Sequence, residues 1–164
     1  ELIEAVRLFD VKPEQVEIVV HRQSIIHSAV EFDDGAVIAQ LGSADMRIPI
    51  QLALTYPARL PSPAKKLSLF DVGQLTFGRA DENTFSCLAA KKAMPMEGNA
   101  PCIVNSANEA AVALFLKKKI RFLDIGEAVN EALGSVPFIP EPTLDDILST
   151  RDAAGEYVAA KFGD

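Results

Sequence analysis

Asp33-Asp34-Gly35 constrains the chain more than any other feature, because it lies between two β-prone runs and leaves them little choice but to pair. Asp34-Gly35 supplies the positive-φ positions of a hairpin turn, so residues 28–32 and 36–41 are predicted to form an antiparallel ribbon. Upstream, residues 16–21 (VEIVVH) are rich in β-branched side chains and read as a further strand. The two histidines of the chain, His21 and His27, both fall at the start of this ribbon. One face of such a ribbon is apolar and needs a covering layer.

The rest of the sequence has a helical rhythm. Residues 1–9 form an amphipathic helix broken at 10–13, and residues 44–56 form another, carrying Met46, Ile50, Leu52 and Leu54 before Pro57 ends it. Pro57, Pro61 and Pro63 make 57–65 a stiff, extended connection, and Leu67, Leu69, Leu75 and Phe77 allow one more strand after it. Beyond Gly78, Asp81 or Asn83 caps a helix over 88–94 that Pro95 stops. The longest candidate, 100–120, buries Ile103, Val104, Ala107, Ala111, Leu114 and Phe115, with Pro101 in its first turn. A helix over 123–133 ends at Gly134, prolines 137, 140 and 142 mark a loop, and Thr143 with Asp146 caps a last helix reaching Phe162. The predicted class is α+β: an antiparallel β-ribbon with covering helices, followed by a small C-terminal helical bundle. The boundary is set between 1–78 and 79–164.

Charge and composition remove several functions. A net charge of -7 with no basic stripe argues against binding nucleic acid, and Lys117-Lys118-Lys119 reads as a solvated helix C-terminus. No apolar run approaches the roughly 18 residues that cross a bilayer, and no signal-peptide pattern opens the chain. Cys87 and Cys102 lack metal-like spacing and read as buried, reduced thiols.

The chemistry-bearing residues leave alternatives open. His21 and His27 suit acid, base or hydrogen-bonding work near neutrality, or are simply satisfied within the fold. Ser24 lies between them, but without an acidic partner or a G-x-S-x-G elbow, nucleophilic hydrolysis is excluded. Asp33-Asp34 belong to the turn and Asp145-Asp146 to a helix start. Glu1 and Glu4 share a helix face, and alone they hold no ion tightly. Met46 either lines a pocket or fills a core. No G-x-G-x-x-G is present, so no dinucleotide-binding βαβ unit is expected. The chain opens at Glu1 in mid-helix without a capping residue and reads as part of a longer protein.

The stretch HRQSIIHSAVEFDDGAVIAQLGSADMRIPI resembles the H-P-Q-S-x-I-H-S…DGS-x-x-A-Q-L-G-x-P-D-M-R-x-P-I pattern of the 1-deoxy-D-xylulose 5-phosphate reductoisomerases. Asn105-Ser106-Ala107-Asn108-Glu109 is similar to that family's N-A-A-N-E helix, and Ile120-Arg121-Phe122 to its I-R-F. The resemblance covers the whole chain. It departs from the pattern at Arg22 and Ala44, where prolines are usual.

The resemblance implies an NADPH-dependent oxidoreductase and isomerase of non-mevalonate isoprenoid synthesis. The implied reaction converts 1-deoxy-D-xylulose 5-phosphate, a small phosphorylated sugar, into 2-C-methyl-D-erythritol 4-phosphate with Mg²⁺ or Mn²⁺. Residues 1–78 would be the second half of the catalytic and dimerisation domain, and 79–164 the C-terminal helical domain. Glu1, opening E-L-I-E-A, matches a metal-binding carboxylate. Ser24 and Met46 match positions near the nicotinamide. His27 matches a histidine at the catalytic site, in a supporting place rather than as the proton carrier. The same resemblance implies a homodimer located in bacterial cytoplasm or a plastid-type organelle. It also implies that this chain is inactive alone, with both cofactors needing residues upstream. The other class of function is a stand-alone dimerisation or scaffold module.

Overall fold

Helix α1, Leu2–Phe9, turns Leu2 and Val6 inward and ends where Asp10 adopts the left-handed conformation and its N–H returns to the Val6 carbonyl. In this computed structural model, residues 1–81, 84–93, 95 and 97–163 are described. They form two compact units, one of residues 1–18 with 80–164 and one of residues 19–79.

The unit of residues 19–79 holds all the strands found among the described residues. Strand β1 (Val19–Val20) pairs antiparallel with β4 (Gly78–Arg79), which ties together the two ends of this unit. Residues 16–18 do not extend β1. Val16 and Ile18 pack instead against Leu2 and Val6 of α1, and burying them there outweighs their strand preference.

Strands β2 (Ile26–Glu31) and β3 (Val37–Leu41) form the expected ribbon. Its turn is a three-residue loop rather than a two-residue one. Phe32 N–H donates to the Ala36 carbonyl (2.9 Å), Gly35 N–H donates to Phe32 O (2.8 Å), and only Gly35 has a positive φ, of 81°. Asp34 accepts the Ala36 N–H at 2.9 Å and so shapes the loop with its carboxylate, not with its own backbone. Most of the ribbon is exposed: only Ile26 and Ala39 are half-buried among the ten-odd positions of its two strands.

Helix α2 runs Arg47–Thr55, starting later than predicted because Asp45 turns back to accept the Arg47 N–H. Gln51 donates to the carbonyls of Leu60 (3.1 Å) and Pro61 (3.0 Å), pinning the proline-rich connection. The segment expected to add a strand instead forms the short helix α3 (Leu69–Val72), with Ser68 capping the Asp71 N–H, before β4.

In the other unit a 3₁₀ turn (Ser86–Ala89) leads into α4 (Ala90–Ala93), so the helix expected over 88–94 is split. Asn83 and Met94, parts of that expectation, lie outside the described residues. Helix α5 (Ala100–Leu116) packs against both α6 (Asp124–Ser135) and α7 (Leu144–Phe162). It stops four residues short of Ile120, where Lys118 becomes left-handed and Lys119 N–H reaches the Leu114 carbonyl. Alanines 107, 111, 128, 132 and 154 are fully buried and let the three helices approach closely around Ile103, Val129 and Val158. Thr143 and Asp146 cap α7 reciprocally, as predicted.

Asn99 is the fully buried polar side chain of this unit, and every hydrogen-bonding atom it has is used. Its Oδ1 accepts the Ile139 N–H (2.8 Å), and its Nδ2 donates to Pro137 O (3.0 Å) and Thr150 Oγ1 (2.9 Å). The 137–142 loop is therefore anchored from inside. Among the described residues no helix is long and apolar enough to cross a membrane.

Gly126 on α6 faces the 3₁₀ turn, where an added Cβ would lie 1.8 Å from Ser86 Oγ and 2.8 Å from its Cβ. Gly126→Ala is expected to destabilise by about 1–3 kcal/mol through overpacking. Gly155→Ala on α7, with nothing within 4 Å of its Cβ, is expected to stabilise by about 0.5–1 kcal/mol. Denaturant melts of the two variants check the pair, and equal midpoints would contradict this packing.

Candidate functional site

The ribbon is irregular at one place. Ile26 pairs with Leu41 but Ser28 pairs with Gln40, so His27 is the extra residue of a β-bulge. The bulge re-aims its side chain, and Nδ1 lies 3.0 Å from Gln40 Oε1. Gln40 donates through Nε2 to the Leu41 carbonyl (3.1 Å), which leaves Oε1 facing the ring as acceptor. Nδ1 is therefore the donor of this bond, on a residue that is exposed. The Cε1 edge lies 3.9 Å from the position a Cβ would take on Gly42. Sequence alternation gave no hint of the bulge. The polar Gln40 inside an otherwise apolar strand was the one available sign of a partner for His27.

Ser24 ends the tight turn that precedes β2. Its N–H donates to His21 O at 3.1 Å and its φ is 50°, a left-handed conformation uncommon for a residue with a Cβ. Ser24 is exposed. The His21 ring is held on two sides: Nδ1 donates to the Thr76 carbonyl at 2.8 Å, and Phe77 stacks on the ring at 4.8 Å. Its Nε2 is buried and meets no partner among the described residues. Gln23 Oε1 accepts from Thr76 Oγ1 (3.0 Å) and N–H (3.4 Å). Of the two histidines, one is consumed by structure and the other is presented outward.

Met46 follows the loop that leaves β3, and it is 70% exposed. Asp45 and Arg47 form a fork beneath it, with Arg47 Nε 2.9 Å from Oδ1 and Nη2 2.6 Å from Oδ2. Ser43 Oγ donates to the Lys65 carbonyl at 2.8 Å, fixing the other side of the loop. The two loops meet through one backbone bond, Gly42 N–H to Ile25 O at 3.0 Å. Ser24, His27 and Met46 thus belong to the same end of the ribbon, the end away from the 33–35 turn. The Asp45–Arg47 fork was missed from sequence, although acid and arginine two apart around a helix start is the spacing that allows it.

Glu1 belongs to the other unit. Its side chain is fully exposed, and its amino group pairs with Glu4 Oε2 at 2.6 Å. Among the described residues no three His, Cys, Asp or Glu side chains converge as a metal site would require. A hard divalent cation needs about six oxygen ligands, so the donor set described here does not fit a complete site. A cavity of about 60 Å³ between α2 and residues 58–62 is too small for a nicotinamide ring with its ribose. The Ser24 and Met46 loops form an exposed edge, not an enclosure.

The Arg47 guanidinium and backbone N–H hold the Asp45 carboxyl well down, at about 2. Because the folded-state value is below the unfolded one, the fork's contribution is complete above about pH 4 and disappears as pH falls through about 2. An acid titration followed by the Met46 methyl resonance is expected to show this step, and Asp45→Asn is expected to abolish it. A step unchanged in that variant would assign it elsewhere.

The chain matches the DXP reductoisomerase C-terminal domain over residues 41–157. It is 50% identical to the 1-deoxy-D-xylulose 5-phosphate reductoisomerase of Agathobacter rectalis, over 99% of this chain and 43% of that protein. It is 45% identical to the Pseudomonas aeruginosa enzyme of the same name, over 99% of this chain and 42% of that protein. The Zymomonas mobilis reductoisomerase solved with NADPH superposes with a TM-score of 0.86 at 41% identity, covering 99% of this chain and 43% of that one. A reductoisomerase solved with NADPH, fosmidomycin and magnesium gives a TM-score of 0.90 at 37% identity, covering 99% and 42%. The chain therefore spans less than half the length of the relatives it matches. With a family match across most of its residues and an α+β fold shared with solved members, it belongs to the DXP reductoisomerase C-terminal domain family.

Proposed function

We propose that this chain is the C-terminal portion of an NADPH-dependent 1-deoxy-D-xylulose 5-phosphate reductoisomerase, forming 2-C-methyl-D-erythritol 4-phosphate. The observation that carries the reading is the junction between the Ser24 turn and the Met46 loop through Gly42 N–H and Ile25 O, beside the bulged His27. It gathers a hydroxyl, an imidazole and a thioether at one exposed edge. In this reading residues 1–78 supply part of the catalytic domain and 79–164 its helical C-terminal domain, in a cytoplasmic enzyme.

The roles follow from the chemistry of each group. When bound, NADPH would supply the hydride and a divalent cation, Mg²⁺ or Mn²⁺, the positive charge. Ser24 offers a hydroxyl that donates or accepts, carried on a left-handed backbone. Met46 offers a polarizable, conformationally adaptable surface to an aromatic ring such as nicotinamide. His27, with its proton on Nδ1, presents Nε2 as an acceptor that orients a substrate or water hydroxyl. Glu1 would offer one carboxylate oxygen to such a cation, which would need its other ligands from residues outside this chain.

A chimera in which this chain replaces the matching stretch of the Agathobacter rectalis relative is expected to oxidise NADPH when 1-deoxy-D-xylulose 5-phosphate is added. The chain alone is expected to show no such turnover, since a lone carboxylate and one exposed edge do not make the site. A well-folded but inactive chimera, or activity in the isolated chain, would overturn the proposal. In the chimera, His27→Gln is expected to lower kcat by about 10²-fold or more if the imidazole orients a reacting group.

A stand-alone dimerisation module is favoured by one observation, the exposure of Val30 (58%), Val37 (60%) and Ile38 (66%) on the ribbon. Self-pairing through these residues is expected in either reading, and light scattering is expected to report a dimer mass. The module reading fails if the chimera is active.

A further inference from the structure

Two residues of one turn, His21 and Gln23, are spent on holding Thr76. His21 donates through Nδ1 to the Thr76 carbonyl at 2.8 Å. Gln23 accepts the Thr76 hydroxyl at 3.0 Å and its N–H at 3.4 Å. Both peptide groups flanking the Thr76 Cα are thus gripped from the same turn, by side chains two residues apart. Phe77 covers the imidazole face at 4.8 Å with the rings 21° from parallel, and the ladder resumes at once with Gly78 against Val20. The His21 carbonyl, on the residue whose ring is clamped, accepts the Ser24 N–H at 3.1 Å. Ser24 takes a φ of 50° at the end of this arrangement. A residue with a Cβ stays in that conformation only where its surroundings over-determine it. Here the over-determination is visible, because the turn is fastened at Thr76 on one side and at Gly42, through Ile25 O, on the other.

We infer that His21 and Gln23 are positioning residues for Ser24: by clamping Thr76 they hold the Ser24 backbone left-handed and set the direction of its hydroxyl. The inference rests on the reading above only in naming what that hydroxyl meets, the nicotinamide end of NADPH. The conformational half of it does not depend on any ligand.

The side chains divide the test cleanly. Asn carries a donor where His carries Nδ1, so His21→Asn keeps the bond to Thr76 O, whereas His21→Ala loses it. Gln23→Glu keeps the acceptor, and Gln23→Ala removes it. Thr76→Val deletes only the hydroxyl donor and keeps both peptide groups, so it serves should the alanine variants fail to fold. In the full chain, NMR reads the short intraresidue HN–Hα distance that marks a positive φ at Ser24. That distance is expected in wild type, His21→Asn and Gln23→Glu, and is expected to lengthen in His21→Ala, Gln23→Ala and, in part, Thr76→Val. A Ser24 φ unchanged by every one of these variants would overturn the inference.

In the chimera, His21→Ala and Gln23→Ala are expected to raise the KM for NADPH about tenfold, the equivalent of one net hydrogen bond, with kcat changed far less. His21→Asn is expected to restore it. Merely loosened packing would lower the melting temperature without this split between KM and kcat. A Ser24 that leaves the left-handed region while the KM for NADPH stays constant would overturn the link to the cofactor. If the unmutated chimera itself is inactive, the reading of function fails, while the NMR measurement still decides whether the clamp positions Ser24.

Discussion

Thr76 closes a loop of 55 residues onto His21, and the order of the strand-bearing unit depends on that closure. Two-residue strands such as β1 and β4 would not hold together by ladder bonds alone. The side-chain clamp from His21 and Gln23 adds hydrogen bonds that tie the entry of the unit to its exit. The entropy of closing so long a loop grows only slowly with its length, so a few good bonds suffice. Everything between, the ribbon, α2 and the proline-rich connection, is then organised relative to a fixed base. The candidate site lies next to this base rather than at the free tip of the ribbon.

The helical unit solves a different problem. Its core is built from alanines and a few branched residues, so helices approach closely and small changes of volume are felt. Asn99 brings the irregular segment 137–142 under the same control by satisfying its backbone from within. Its titrating pairs are on the surface: Lys161 beside Glu131 lowers that carboxyl, and Arg121 beside Asp124 does the same. Exposed pairs of this kind contribute little to stability. The residues proposed for chemistry, His27, Ser24 and Met46, lie instead at the ribbon edge, on or beside short, braced loops.

Most elements were legible because their signals are local. The Thr143–Asp146 box, the break at Asp10, the stripe from Ile103 to Ala111 and the Asp-Asp-Gly turn each operate within a few residues. Errors appeared where distant contacts compete with local preference. Val16 and Ile18 left the strand for α1, and the segment around Leu69 became helical once Ser68 capped it. The proposed site residues Ser24, His27 and Met46 stand in the patterned stretches that carry the family resemblance. Their geometry was not legible there, because a bulge is a mismatch between two strands and neither strand contains it alone.

The sequence by itself determined the α+β class, the hairpin, the capped helices and the family resemblance, because periodicity, turn chemistry and motif order are written along the chain. Only the tertiary structure decided which histidine is available. Alike in sequence, His21 and His27 differ in what lies across from them: a carbonyl and a phenyl ring 55 and 56 residues away for one, a single glutamine on an exposed strand for the other. A side chain's chemistry is set by its partners in space, and these partners come from parts of the chain that no local pattern connects.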